Sequence, residues 1–171
     1  NTNYVIIAKT SSDLSSAETM GIFANGEVVP NFSYSLSGTP CENVVGKGFC
    51  SVPFDVQALY PLDVMLTDMK AESYLGIPLW DQNRKPIGLI AVIDCKPIAN
   101  AEQISSLLKL AANAVSSELV RQREDKALRE SEEKFRTLFE QASDGIFITD
   151  HYGNYLDVNQ SGCTMLGYSQ E

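Results

Sequence analysis

The chain has one histidine, His151, and one tryptophan, Trp80. The histidine sits in the turn-forming string Asp150-His-Tyr-Gly-Asn154, so no Ser/His/Asp or Cys/His arrangement assembles around it. No Walker-type or kinase-type phosphate loop is present. Catalysis by this piece of chain is therefore not expected. The four cysteines (Cys41, Cys50, Cys95, Cys163) include no CxxC pair, and only Cys163 lies near the histidine, which argues against a structural zinc site. Four scattered cysteines without secretory context fit a reducing cytosol. No apolar run approaches the length of a membrane span. Nor is there a basic patch interleaved with aromatics. The net charge is −9, with 10 acids and 6 bases in residues 1–100 and 12 and 7 in the remainder. That distribution argues against nucleic-acid binding. The chain begins at Asn1 without a methionine and enters an apolar run (Tyr4 to Ala8) with no signal peptide, so it is expected to be part of a longer protein.

Glycine and proline are also missing from one long stretch, Ala101 to Ala142, which is rich in Leu, Ala, Glu, Lys, Arg and Gln. That composition favours helix. Asn100 caps its start, with Gln103 at capping-box spacing. Such a helix would be roughly 60 Å long, too long for the core of one small domain. Two apolar stripes run along it. The first is Ile104, Leu107, Leu108, Ala111, Val115 and Leu119. The second, on roughly the opposite side, is Leu128, Phe135, Leu138, Phe139 and Ala142. Between them lies the charged string RQREDK (121–126). Asp125/Arg129, Glu130/Lys134 and Glu132/Arg136 are spaced for i,i+4 ion pairs. One helix serving two bodies accounts for the pattern; two helices bent near Lys126 are the alternative.

Before this helix the patterning is that of strands. Tyr4 to Ala8 is a short buried strand rich in β-branched residues. Ser11 to Ala17 is a polar turn, and Thr19 to Ala24 a second strand ended by the hairpin signal Asn25-Gly26. Phe32 to Leu36 alternates and is a third candidate. Thr39 followed by Pro40, with Glu42 at the third helical position, predicts a short helix from Pro40 to Val45 stopped by Gly46 and Gly48. Phe49 to Phe54 is a strand. One or two short helices and a loop are expected over 55–69. Ser73 to Trp80 and Pro86 to Asp94, joined by Asp81-Gln-Asn-Arg-Lys85, form the clearest hairpin. The second of these is apolar on both sides and should be central. After the long helix, Ile146 to Thr149 and Tyr155 to Asn159 form another hairpin. A short helix then runs from Gln160 to Tyr168. Residues 128–171 hold only that hairpin, too little to close a core of their own.

The stretch from Ser35 to Pro97 resembles a GAF domain of the sensor histidine kinase type. The resemblance is carried by YSLSGTPCENV (34–44), VQALYPLD (56–63), AESYLGIPLWDQNRKPIGLIAVIDCKP (71–97) and the helix that follows. From Leu128, LRESEEKFRTLFEQASDGIFITDHYGNYLDVNQSGCTMLGYSQE resembles the opening of a PAS domain. The resemblance implies an α+β fold, with a GAF-like antiparallel sheet of about six strands flanked by helices. A GAF core (1–100), a connector helix (101–142) and an incomplete PAS piece (143–171) follow from it. It further implies a ligand pocket between the sheet and the 37–70 segment, parallel homodimerisation through the long helix, and downstream PAS and kinase domains in the parent chain. The chain departs from the pattern in two ways. No helix precedes the first strand, and the PAS part lacks its last strands, so no PAS pocket is expected. A phospho-accepting histidine and an ATP-binding domain, which a histidine kinase needs, are absent from this piece.

The candidate pocket residues are Tyr34, Cys41, Glu42, Cys50, Phe54, Tyr60, Asp63 and Tyr74, with Trp80 nearby. The aromatics either line a ligand site or are simply core. Glu42 and Asp63 are polar anchors or helix caps. Cys41, the second residue of a helix, would feel a dipole that lowers a thiol pKa. The two cysteines thus serve redox sensing, haem attachment or methionine-sulfoxide reduction, or they are small buried packing residues. Bilin-binding GAF domains attach their chromophore through a Cys followed by His, whereas Glu42 follows Cys41 and Ser51 follows Cys50. The Asn-Lys…Asp/Glu signature of cyclic-nucleotide-binding members is not matched by Asn83-Arg84-Lys85. Leu119, Leu128, Phe135 and Leu138 are the candidates for relay and dimerisation. The expected function is a cytosolic sensory module that relays a small-molecule or redox signal to PAS and histidine-kinase-type output. A ligand-free dimerisation platform and a cysteine-dependent redox enzyme are the alternatives.

Overall fold

A computed structural model describes residues 3–167 of the chain. The chain divides into two compact units, Asn1–Val120 and Arg121–Glu171.

The first unit is built on seven strands: β1 Tyr4–Thr10, β2 Ser16–Ala24, β3 Glu27–Val29, β4 Ser33–Ser35, β5 Cys50–Val52, β6 Ser73–Trp80 and β7 Pro86–Asp94. Their order is β3-β2-β1-β7-β6-β5, with β4 also paired to β2. All pairings are antiparallel. The β6–β7 hairpin has the bounds the sequence predicts, and β7 is central, between β1 and β6. Asp81 ties the hairpin turn by accepting the Asn83 and Lys85 backbone N–H groups, each at 2.8 Å. β2 begins earlier than predicted, at Ser16. Asp13 accepts both the Ser11 and Ser15 hydroxyls, which tightens the turn and frees Ala17 to pair with Thr10.

Because side chains alternate across a strand, β6 and β7 feed two cores. Tyr74, Leu89, Ala91 and Ile93 join Ile6, Ala8 and Ile22 on one face, under the cover of Leu36, Cys41, Val44, Val56 and Leu66. Leu75, Ile77, Ile87, Ile90 and Val92 face the other way. They pack with Leu108, Ala112 and Leu119 of the long helix α3, Ala101–Gln141 (α1, Val56–Leu59, and α2, Val64–Asp68, lie in the cover). Gly88 admits the β1 backbone: a Cβ there would collide with the Ala8 carbonyl oxygen.

The cover consists of a 3₁₀ helix Pro40–Asn43, α1 Val56–Leu59 and α2 Val64–Asp68. The predicted helix to Val45 is thus a single tight turn. Thr39 does not cap it, because its hydroxyl donates to the Leu36 carbonyl at 2.7 Å. Glu42 reaches back to the Gly38 N–H at 2.9 Å instead of to Thr39. Gly46, at φ 69°, ends the turn.

α3 is one helix without interruption, not the two helices considered as the alternative. Its buried line in the first unit is Leu108, Ala112 and Leu119, flanked by half-buried Ile104 and Val115. Leu107 and Ala111, expected in that stripe, are exposed. The sheet takes only a narrow line along the helix, and these two residues sit just beyond it. The charged string 121–126 is exposed along its whole length, with Arg121 paired to Asp125 at 3.2 Å and Lys126 to Glu130 at 3.6 Å.

The second unit joins the end of α3 to β8 Phe147–Thr149, β9 Tyr155–Val158 and α4 Gln160–Leu166. The predicted helix end at Tyr168 lies outside the described residues. Although this stretch was not expected to close a core, Phe139, Asn159 and Cys163 are buried. The organiser is Asn159. Its Nδ2 donates to the Phe139 and Asp144 carbonyls at 2.9 and 3.0 Å, and its Oδ1 accepts from Ile146 N at 2.8 Å and Gly162 N at 2.9 Å. One amide side chain thereby joins helix end, loop, strand and the N-terminus of α4. Among the described residues no helix is long and apolar enough to cross a membrane.

Candidate ligand cavity

A small cavity of about 20 Å³ lies between the sheet of the first unit and its cover. Ile6 of β1 and Ile93 of β7 form its floor, and Met65 and Leu66 of α2 with Met69 just after it form its roof. Tyr34, Thr39, Cys41, Asp63 and Tyr74 bring the polar atoms. Tyr74 points inward from β6 and is 1% exposed. Its hydroxyl donates to the Cys41 sulfur at 3.3 Å, and Tyr34 donates to the same sulfur at 3.5 Å. Asp63 caps α2, accepting the Met65 and Leu66 N–H groups at 3.1 and 3.4 Å.

Burial sets the protonation states. It pushes the Cys41 thiol above its ordinary range, an effect that the bonds from Tyr74 and Tyr34 only partly oppose. It raises Tyr34 and Tyr74 as well, with the neighbouring Cys41 adding to the shift. The Asp63 carboxyl also rises through desolvation, against the pull of its two N–H donors. Cys50 is raised by burial, opposed by a bond from Tyr60. The expectation of a dipole-activated Cys41 is therefore corrected. A four-residue 3₁₀ turn provides little dipole, and the thiol is sealed from water.

Four of the eight candidate residues meet at the cavity: Tyr34, Cys41, Asp63 and Tyr74. Cys50 and Tyr60 pack against the same core without lining it, and the Tyr60 hydroxyl accepts from Asn43 at 2.7 Å. Phe54 does not belong to the site; it is 63% exposed. Glu42 is exposed and bonds Gly38, and Trp80 lies half-buried at the end of β6. Met65, Leu66 and Met69 were missed, although their i, i+1, i+4 spacing marks one face of a helical turn. Of the relay candidates, Leu119 is buried against the sheet, while Leu128, Phe135 and Leu138 are 59%, 55% and 64% exposed. A separate open cleft of about 590 Å³ lies in the second unit, between Phe135, Arg136 and Phe139 of α3 and Asp157 of β9. Charged side chains make up most of its wall, and it is an open surface cleft rather than an enclosed ligand pocket.

The architecture has counterparts among known proteins. The chromophore-binding domain of a bacteriophytochrome from R. palustris superposes with a TM-score of 0.56 at 12% identity, over 72% of this chain and 51% of that one. The phycoerythrobilin-bound GAF domain of a cyanobacterial phytochrome gives a TM-score of 0.50 at 17% identity, over 71% and 79%. The sheet-bearing unit has the GAF fold. Residues 133–171 match the PAS domain family. A curated relative, the methyl sulfide methyltransferase-associated sensor of Methanosarcina acetivorans, is 48% identical over 46 residues, which is 26% of this chain and 5% of that protein. The chain thus spans about half of the bacteriophytochrome domain and a small fraction of the curated sensor.

Haem and bilin do not fit this GAF cavity. Its 20 Å³ is on the scale of one water molecule. The only thiol lining it is buried and occupied by two tyrosine hydroxyls, and the residue after it is Glu42.

Proposed function

We propose that this chain is a sensory relay module, in which a GAF domain passes the state of its cavity along α3 to a PAS domain and a histidine-kinase-type output in a two-component system. One observation carries the proposal: α3 is a single helix whose first half holds the second core of the sheet and whose last turns belong to the second unit. β6 and β7 line the cavity with one set of side chains and contact α3 with the alternate set. A change at Tyr74 or Ile93 is therefore one residue away from Leu75 or Val92 beneath the helix. A ligand acts only by preferring one packing of these elements over another.

The same helix supports a homodimer. Leu107, Leu110, Ala114, Ser117, Arg121, Glu124, Leu128, Ser131, Phe135 and Leu138 alternate at spacings of three and four, and all are exposed. That is the a/d register of a coiled coil. Its apolar ends form the seam, and its polar middle weakens the seam and fixes the register. The occupant of this face is a second copy of the chain, parallel to the first.

The test is a phase experiment in the full-length parent. A one-residue insertion after Lys126 turns the downstream helix by about 100°, whereas a seven-residue insertion restores the phase within about 20°. The single insertion should change phosphorylation of the parent and the seven-residue insertion should preserve it. Wild-type phosphorylation with both insertions would exclude a relay through α3.

A further inference from the structure

Within the reading of the GAF cavity as the sensory input, we infer that its ligand is a small neutral molecule of a few heavy atoms that carries one oxygen acceptor. Two phenol hydroxyls, of half-buried Tyr34 and buried Tyr74, converge on a single sulfur at 3.5 and 3.3 Å. A thiol sulfur is a weak acceptor, so both donors hold less than they would with a carbonyl or sulfoxide oxygen between them. The remaining lining includes Ile6, Ile93, Leu66 and the thioethers of Met65 and Met69. It offers contact to methyl or methylene groups and no basic side chain.

Charge narrows the class. An anion would face Asp63 with no cation in the lining to offset its desolvation. A cation would meet the hydrogens that both hydroxyls present toward the space around Cys41, and its only counter-charge would be Asp63, whose Oδ1 is already taken by the Met65 and Leu66 N–H groups. Size narrows it further. The present space takes about one water, and the parts of the wall that can yield are the unbranched side chains of Met65 on α2 and of Met69 at its C-terminal end. Such a ligand enlarges the cavity by displacing α2 and takes one or both phenol hydroxyls from Cys41. The neutral oxygen acceptor is thus both what the donors lack and what moves the cover.

Three probes of similar size and different charge test this on the 171-residue chain: acetone, acetate and tetramethylammonium. The readout is the methyl resonances of Met65 and Met69. Acetone should shift both saturably, and Tyr74→Phe should weaken its apparent affinity about tenfold, the value of a lost hydrogen bond to a buried donor. Tyr34→Phe, which alters the less buried tyrosine, should weaken it in the same direction if Tyr74→Phe does not fold. A saturable shift with acetate or tetramethylammonium in preference to acetone would overturn the assignment. So would no saturable shift with acetone, or a shift that both Phe variants leave unchanged. These outcomes are separate from the phase experiment: the ligand class can fail while relay through α3 stands, and the insertions can fail while acetone still binds.

Discussion

Three residues bear loads that their positions alone would not suggest. Asn159 satisfies four backbone groups inside the second unit and is 0% exposed. Replacing it with leucine removes these bonds from two N–H groups and two carbonyls, at a cost of about 3 kcal/mol or more. Cys163, 6% exposed beside it, should then react faster with a thiol reagent, while the exchange of amides in β6 and β7 is unchanged. Gly76 makes room for the site: a Cβ there would stand 2.5 Å from both the Tyr74 hydroxyl and Val44 Cγ2. Gly76→Ala should cost about 2 kcal/mol by overpacking, read as a lower urea midpoint. Cys41 links the cavity to pH. Its folded pKa lies above the unfolded one because burial penalises the thiolate. The unfolded chain therefore gives up this proton first. The stabilisation is complete below about pH 8.5 and is lost as pH rises through that value toward the folded pKa. The urea midpoint should fall between pH 8 and pH 9.5, and Cys41→Ala should reduce that fall.

Among the elements, α3 changes character at the charged string. Up to Leu119 it is part of a core, and Leu108, 6% exposed, should cost about 2–5 kcal/mol when cut to alanine. Leu128 and Phe135 lie where the helix is exposed. Leu128→Glu or Phe135→Glu should leave the melting of the GAF unit within about 0.5 kcal/mol of the wild type, and the homodimer proposed above predicts that either change halves the mass seen by sedimentation. A dimer that survives both substitutions would place the contact elsewhere. Strand bounds followed from local signals where a turn was chemically explicit, as at Asp81 to Lys85. They slipped where a side chain reshaped the turn, as Asp13 does before β2. The predicted helix at Pro40 shrank to a turn because Thr39 spends its hydroxyl on Leu36 rather than on a cap.

As a whole the chain carries a net charge of −9, so two copies repel each other, and added salt screens that repulsion. Self-association should strengthen between about 20 and 300 mM salt; weakening would point instead to ion pairs as its source. Patterning along the chain was enough to read the two-sided central hairpin, the long helix without glycine or proline, and the GAF and PAS resemblances. Each of these depends on residues near one another in sequence, where periodicity and turn chemistry act directly. The cavity was only half legible. Tyr34, Cys41, Asp63 and Tyr74 were foreseen, but Phe54 turned outward and Met65 and Met69 turned in. Alternation names two faces of a strand, but it does not say which stretch of chain will cover each face. The protonation of Cys41 and the four bonds of Asn159 were likewise out of reach of local reading. Burial and hydrogen bonding to groups distant in sequence exist only once the chain has closed around them.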